Sequence, residues 1–255
     1  MDLNLVNLLI LGLAAVGAGA VNAIAGGGTL ITFPTMVAMG VPAVESNVTN
    51  TVSLVPGYLG GTLAQRGDLA GQGKRLRLLA PIGVAGGLVG GVLLMLSGEA
   101  VFRALVPWLI ILASTLLLLQ DTIRRWVVAR LRKPEETHTN EAWVIGPVFL
   151  ASIYGGYFGA GLSVILIAVL GLVIHDNLTR INALKQAISL CVNLAAAIFF
   201  VFSGKVVWIA VPVMMIGALV GGVLGGKVAS RIKASTLRAV VVTIGYIVGI
   251  IYLFR

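Results

Sequence analysis

Two polar, glycine-broken stretches interrupt an otherwise apolar chain, and their residues have the types and spacing to bind a small anion. The first holds Asn22, Gly26, Gly27, Gly28 and Thr29, followed by Asn47, Asn50 and Thr51. The second holds Gly161 and Ser163, followed by Asn182, Lys185 and Gln186. A break that opens a short helix leaves its first backbone N–H groups without an intrahelical partner. The positive end of the helix dipole lies beside them, and such an end attracts anions. Thr29 and Ser163 add hydroxyls. Asn47, Asn50 and Thr51 share one helical face at i, i+3, i+4 spacing, and Asn182, Lys185 and Gln186 share another. Lys185 adds a positive charge inside an apolar run, while Glu45, Glu99 and Asp176 all flank loops. A cation within the membrane and without a protein counter-ion expects an anionic ligand. Three plainer readings stand beside this one: the glycines serve helix packing, the amides and hydroxyls bind helices together, and Lys185 snorkels to the interface.

Other chemistry finds less support. A serine nucleophile needs a basic partner at membrane depth, and the two histidines, His138 and His175, both lie in loops. Neither has a ligand set for a metal. Cys191 is the single cysteine, so no disulfide forms within the chain. No cofactor is expected, and the chain does not read as an enzyme. The net charge of +9 sits in short loops between apolar spans. There it sets orientation in a bilayer rather than binding nucleic acid.

The elements that position these residues follow from composition. The 255 residues are 58% hydrophobic and 11% charged, against about 25% charged in a soluble domain. The fold class is all-α, a polytopic helical membrane protein in contact with the lipid bilayer. Apolar segments run over 3–24, 29–40, 44–65, 76–97 and 101–120, then 142–160, 163–174, 178–203, 206–229 and 236–254. A full crossing needs about 20 residues. The second and seventh segments fall short and read as half-helices or limbs of re-entrant hairpins. Hydrocarbon cannot satisfy a broken backbone, so the breaks must line a protein cavity. The opening stretch, MDLNLVNLLILGLAAVGAG, has no basic leader and reads as a mature span.

Two halves are legible at an offset of 135 residues. Gly26 then meets Gly161, Asn47 meets Asn182, and Asn50 meets Lys185. Gly86, Gly87, Gly90 and Gly91 meet Gly221, Gly222, Gly225 and Gly226, a GGxxGG face that lets helices approach closely. The divisions are 1–120, a polar connector at 121–141, and 142–255. Basic residues concentrate in 66–77, in the connector and in 227–238. The positive-inside rule makes these segments cytoplasmic. It leaves both termini outside the cytoplasm and makes the halves two inverted repeats of about five segments each. Paired breaks in inverted halves mark a transporter's binding site.

The stretch VNAIAGGGTLITFPTMVAMGVPAVESNVTNTVSLVPGYLGG resembles the first signature of the TauE/SafE family, the sulfite exporter or toluene sulfonate uptake permease group. GGYFGAGLSVILIAVLGL, followed by INALKQAISLCVNLAAAIFFVFSG, resembles the second, with Gln186 where that signature often carries asparagine. The resemblance covers nearly the whole chain apart from the connector. It implies a bacterial inner-membrane protein that moves small sulfur-containing anions such as sulfite, sulfoacetate or other sulfonates. The reading is a secondary transporter, an exporter, working by alternating access; the alternative is a passive anion channel. Small-residue faces are compatible with a homodimer.

Overall fold

A computed structural model describes residues 4–24, 27–131, 141–228 and 234–254. Among these, all regular structure is helical: α1 Leu5–Ile24, α2 Thr29–Ala38, α3 Ala43–Ala64, α4 Gly73–Leu131, α5 Ile145–Tyr157, α6 Leu162–Val173, α7 Leu178–Val201, α8 Ala210–Val228 and α9 Ala234–Leu253. Single 3-10 turns lie at Arg66–Leu69 and Glu141–Val144. The helices follow the apolar segments to within a few residues. α4 alone differs, running through 98 and on into the expected connector as far as Leu131.

α4 is two limbs, 73–97 and 99–131, broken at Gly98, whose φ of 66° and ψ of 180° are open to glycine alone. The limbs fold back on each other. Arg75 near the start of the first and Leu131 at the end of the second both reach the loop around Asp176.

α2 and α6 have 10 and 12 residues, about 15 and 18 Å at 1.5 Å per residue. Neither crosses a hydrocarbon core of about 30 Å. Residues 5–22, 73–131, 178–201 and 235–253 contain windows long and apolar enough to do so. α3 is also long, but it is polar in its middle, and 46–53 are buried there. The opposite pattern holds outside, where Leu9, Leu13, Leu96, Leu118, Ile216 and Ile247 face outward. The molecule is thus apolar on its surface and polar along one interior helix, as a bilayer requires.

Close packing explains the first glycine motif and the start of the second. A Cβ on Gly86 would strike Ser152 of α5, and one on its counterpart Gly221 would strike the Val16 carbonyl of α1. α1 packs chiefly on α8, while the 73–97 limb packs on both α5 and α7.

Polar contacts gather the basic segments at one end. Arg75 pairs with Asp176 at 2.5 Å, and Arg238 pairs with Asp121 at 2.5 Å. At the other end, Glu99 accepts from the amides of Ala43 at 2.6 Å and Val44 at 2.9 Å, capping α3.

Candidate functional site

The first break turns α1 into α2 through Gly27, at φ 92°, and Gly28. The Gly28 amide donates to Asn22 Oδ1 at 2.8 Å. α3 crosses in front. Its Asn50, 2% exposed, donates through Nδ2 to Thr29 Oγ1 at 3.3 Å and accepts at Oδ1 from Thr32 Oγ1 at 2.5 Å. Thr32 was not singled out from the sequence, although it stands at i+3 from Thr29, where a helix repeats a face. The amides expected to point at a ligand are partly taken up by the turn: Leu30 donates to the Gly27 carbonyl and Ile31 to that of Gly28. The break therefore presents mainly the Thr29 hydroxyl and the second N–H of Asn50.

The second break joins α5 to α6 through Gly159 and Gly161, at φ 80° and 81°. The Tyr154 hydroxyl donates to the Ala160 carbonyl at 2.6 Å. Here too the first amides turn inward, Leu162 to the Gly159 carbonyl and Val164 to that of Gly161. Ser163 is half-buried at the start of α6. α3 reaches this break as well: Asn47, fully buried, donates through Nδ2 to the Tyr157 carbonyl at 2.9 Å. Thr51 Oγ1 donates to the Asn47 carbonyl at 2.9 Å.

The two breaks converge. Gly27 lies against Leu117, and Gly161 lies against Leu116 and Ala113, all on one stretch of α4. Phe158 of the second break meets Phe33 of α2 edge to face, 5.6 Å between ring centres.

The residues at the start of α7 lie elsewhere. Lys185 Nζ donates to Asn182 Oδ1 at 2.9 Å, and Asn182 Nδ2 donates to Gln65 Oε1 at 2.7 Å. Thr62 Oγ1 donates to the Gln186 carbonyl at 3.4 Å. Below them, Arg180 donates to the Ala70 carbonyl at 2.8 Å and Gln72 to the Arg180 carbonyl at 2.9 Å. Asp176 bonds both Arg75 and Arg180. Partial burial works against the Asp176 charge, but the Asn177 amide and the two guanidiniums outweigh it and hold the carboxyl below its ordinary range.

The structure thus brings Asn22, Gly27, Gly28, Thr29, Asn47, Asn50, Thr51 and Gly161 into one neighbourhood, with Ser163 next to it. It holds Asn182, Lys185 and Gln186 apart. From Asn50 to Thr62, the residue facing Gln186, is twelve residues of α3, about 18 Å along the axis. Gly26 lies outside the described residues. Gln65, Thr62 and Gln72 escaped the sequence reading because they flank a loop, where polar residues are ordinary.

Comparison with known proteins agrees across the chain. The profile of the family described as sulfite exporter TauE/SafE matches residues 11–252. A probable membrane transporter protein of Haemophilus influenzae is 26% identical over 96% of this chain and 94% of its own length. The probable membrane transporter protein YfcA of Escherichia coli K12 is 22% identical over 97% and 91%. A probable membrane transporter protein, ORF9, of a Sinorhizobium species is 25% identical over 95% and 91%. No solved structure matches.

Proposed function

Because the chain belongs to the sulfite exporter TauE/SafE family, we propose that it is a secondary transporter that exports small sulfur-containing anions, such as sulfite, sulfoacetate or another sulfonate, by alternating access. With relatives of this kind and helices this apolar, it is a multi-pass membrane protein. The observation that carries the proposal is the meeting of two backbone breaks on residues 113–117 of α4, bridged by Asn47 and Asn50 of α3. Broken helices that meet inside a bundle are the usual setting of a transporter's substrate.

In this reading Thr29, Asn50 and Ser163 hold the anion's oxygens, joined by those amides around Gly26, Gly27, Gly28 and Gly161 that the turns leave unbonded, and Asn22 fixes the first turn. Lys185, with Asn182 and Gln186, supplies the positive charge on the route between that site and the basic end. The divisions 1–120, 121–141 and 142–255 become two inverted repeats and a cytoplasmic connector in the bacterial inner membrane, with both termini outside. Exchange of packing partners supports this: α1 rests on α8 of the other half, and α5 rests on the 73–97 limb. The gathering of basic segments at one end supports the orientation.

The test is binding and counterflow on purified, reconstituted protein with sulfite, sulfoacetate, taurine, thiosulfate and sulfate. Saturable counterflow of a sulfonate or sulfite is expected, with Lys185→Ala weakening it at least tenfold. Flux without counterflow would make the protein a channel, and an unaltered Lys185→Ala would remove that residue from the route. A cytoplasm-specific reporter fused after Arg255 should be silent.

A further inference from the structure

We infer that the end of α5 forms a site for a small monovalent cation, sodium in the first instance, built on the side-chain oxygen of Asn47. Asn47 is fully buried, and its Nδ2 donates to the Tyr157 carbonyl at 2.9 Å. A carbonyl can only accept, so this bond fixes which way the amide points. Oδ1 is left buried with no hydrogen-bond partner among the described residues. A buried acceptor of this kind calls for a donor or a cation.

Its surroundings favour the cation. The last carbonyls of a helix have no following turn to bond, and they carry the negative end of the dipole. In α5 the Tyr154 carbonyl accepts from the amides of Phe158 and Gly159, and that of Tyr157 receives Asn47. Those of Gly155 and Gly156 belong to the same last turn, just ahead of Tyr157. Thr51 gives its hydroxyl hydrogen to the Asn47 carbonyl, leaving its oxygen as an acceptor one turn along α3. These groups are neutral oxygens. None titrates near neutral pH, which disfavours a proton relay, and none is an imidazole, thiolate or carboxylate of the kind transition metals prefer. Unwound carbonyls and half-helix C-termini are where transporters hold coupling sodium.

The same geometry separates two residues that look alike in sequence. Each amide spends one N–H and keeps the other; they differ at the oxygen, which in Asn50 accepts from Thr32 and in Asn47 has no hydrogen-bond partner among the described residues. They stand three residues apart, about 4.5 Å along α3. A cation on one would strengthen an anion on the other, and the reverse by linkage. Only this coupling rests on the anion site proposed above; the cation site rests on Asn47 and Thr51 at the end of α5.

Thermal unfolding of the full-length protein in detergent tests it, with choline chloride replaced stepwise by NaCl at constant ionic strength and no sulfur anion present. A saturable rise in Tm with sodium is expected, and Asn47→Asp should saturate at several-fold lower sodium. Asn47→Ala should lose the rise. Should that variant fail to fold, the near-isosteric Thr51→Val should raise the half-saturating sodium at least fivefold. No saturable rise in the wild type, or an unchanged one in Asn47→Ala or Thr51→Val, overturns the site. Anion counterflow is measured separately, so either reading can fail while the other stands.

Discussion

Asn50 and Lys185 match at the sequence offset of 135 residues, yet their surroundings differ. Asn50 is buried against two threonines of the first half-helix. Lys185 is half-buried and bonds Asn182 near the basic end. Two physical reasons account for this. Each stands seven residues into its helix, but α3 starts at the end capped by Glu99 and α7 starts at the end held by Asp176. Residues matched at this offset in α3 and α7 therefore fall at opposite depths, and the match in sequence does not predict contact. The partners differ too. Where Asn50 finds Thr29 and Thr32, the offset of 135 gives α6 the apolar Val164 and Ile167. The second half cannot build the same hydroxyl cluster, so its polar group must look elsewhere.

The largest effect that could break this contrast comes from Asn50→Leu. It would leave the Thr29 hydroxyl facing an apolar side chain in a buried site, at about 1–3 kcal/mol for a buried polar group left unsatisfied, while Thr32 keeps only its bond to the Gly28 carbonyl. Stability and counterflow should both fall, with midpoint loss visible in thermal unfolding. A variant as stable as the wild type would mean that the threonine cluster is not structural.

Lys185→Ala should do the reverse. Lys185 is half-buried with a neutral partner, so its removal should change stability by less than about 1 kcal/mol, as for an ordinary partly exposed position. The anion's half-saturating concentration should nevertheless rise at least tenfold. If stability fell as much as in Asn50→Leu, the two positions would be structural equivalents after all. Gln65→Leu sharpens the same point more gently. It removes the acceptor of Asn182 and should weaken the anion by a few-fold, read in the same counterflow assay.

Much of this was legible beforehand, for reasons of period and length. The breaks at Gly27–Gly28 and Gly159–Gly161, the short segments after them, and the first GGxxGG face are local patterns, and a local pattern is written in consecutive residues. The continuation of α4 to Leu131 was harder to see. Arg124, Arg125 and Arg130 look like a loop by charge, although arginine is a good helix former. Whether both polar faces serve one site is a matter of depth, which side-chain types do not encode. Glu99 on the amides of Ala43 and Val44, and Tyr157 lending a carbonyl to Asn47, connect residues 55 or more apart through backbone atoms. No inspection of side chains finds those.

The smallest effect belongs to the ion pairs at the basic end, and its sign follows from the Asp176 carboxyl. In the folded protein that group is held below its ordinary value of about 3.9. Between the folded and unfolded values the unfolded chain binds more protons, so stability there rises with pH. The contribution of the Arg75–Asp176–Arg180 cluster is complete above about pH 4 and is lost as pH falls through the folded value. Its size is modest, about 1 kcal/mol, since all three side chains keep some exposure to solvent. Asp176→Asn should remove that acid-dependent step from the Tm profile while leaving the profile near neutrality lower by a similar amount. The cluster joins the first turn of α4 to the loop before α7, so in the transport cycle proposed above the same variant should also speed exchange of the basic end between open and closed forms. Counterflow that is unchanged in rate while the acid step disappears would make the cluster a fastening of the fold, with no part in access to the site.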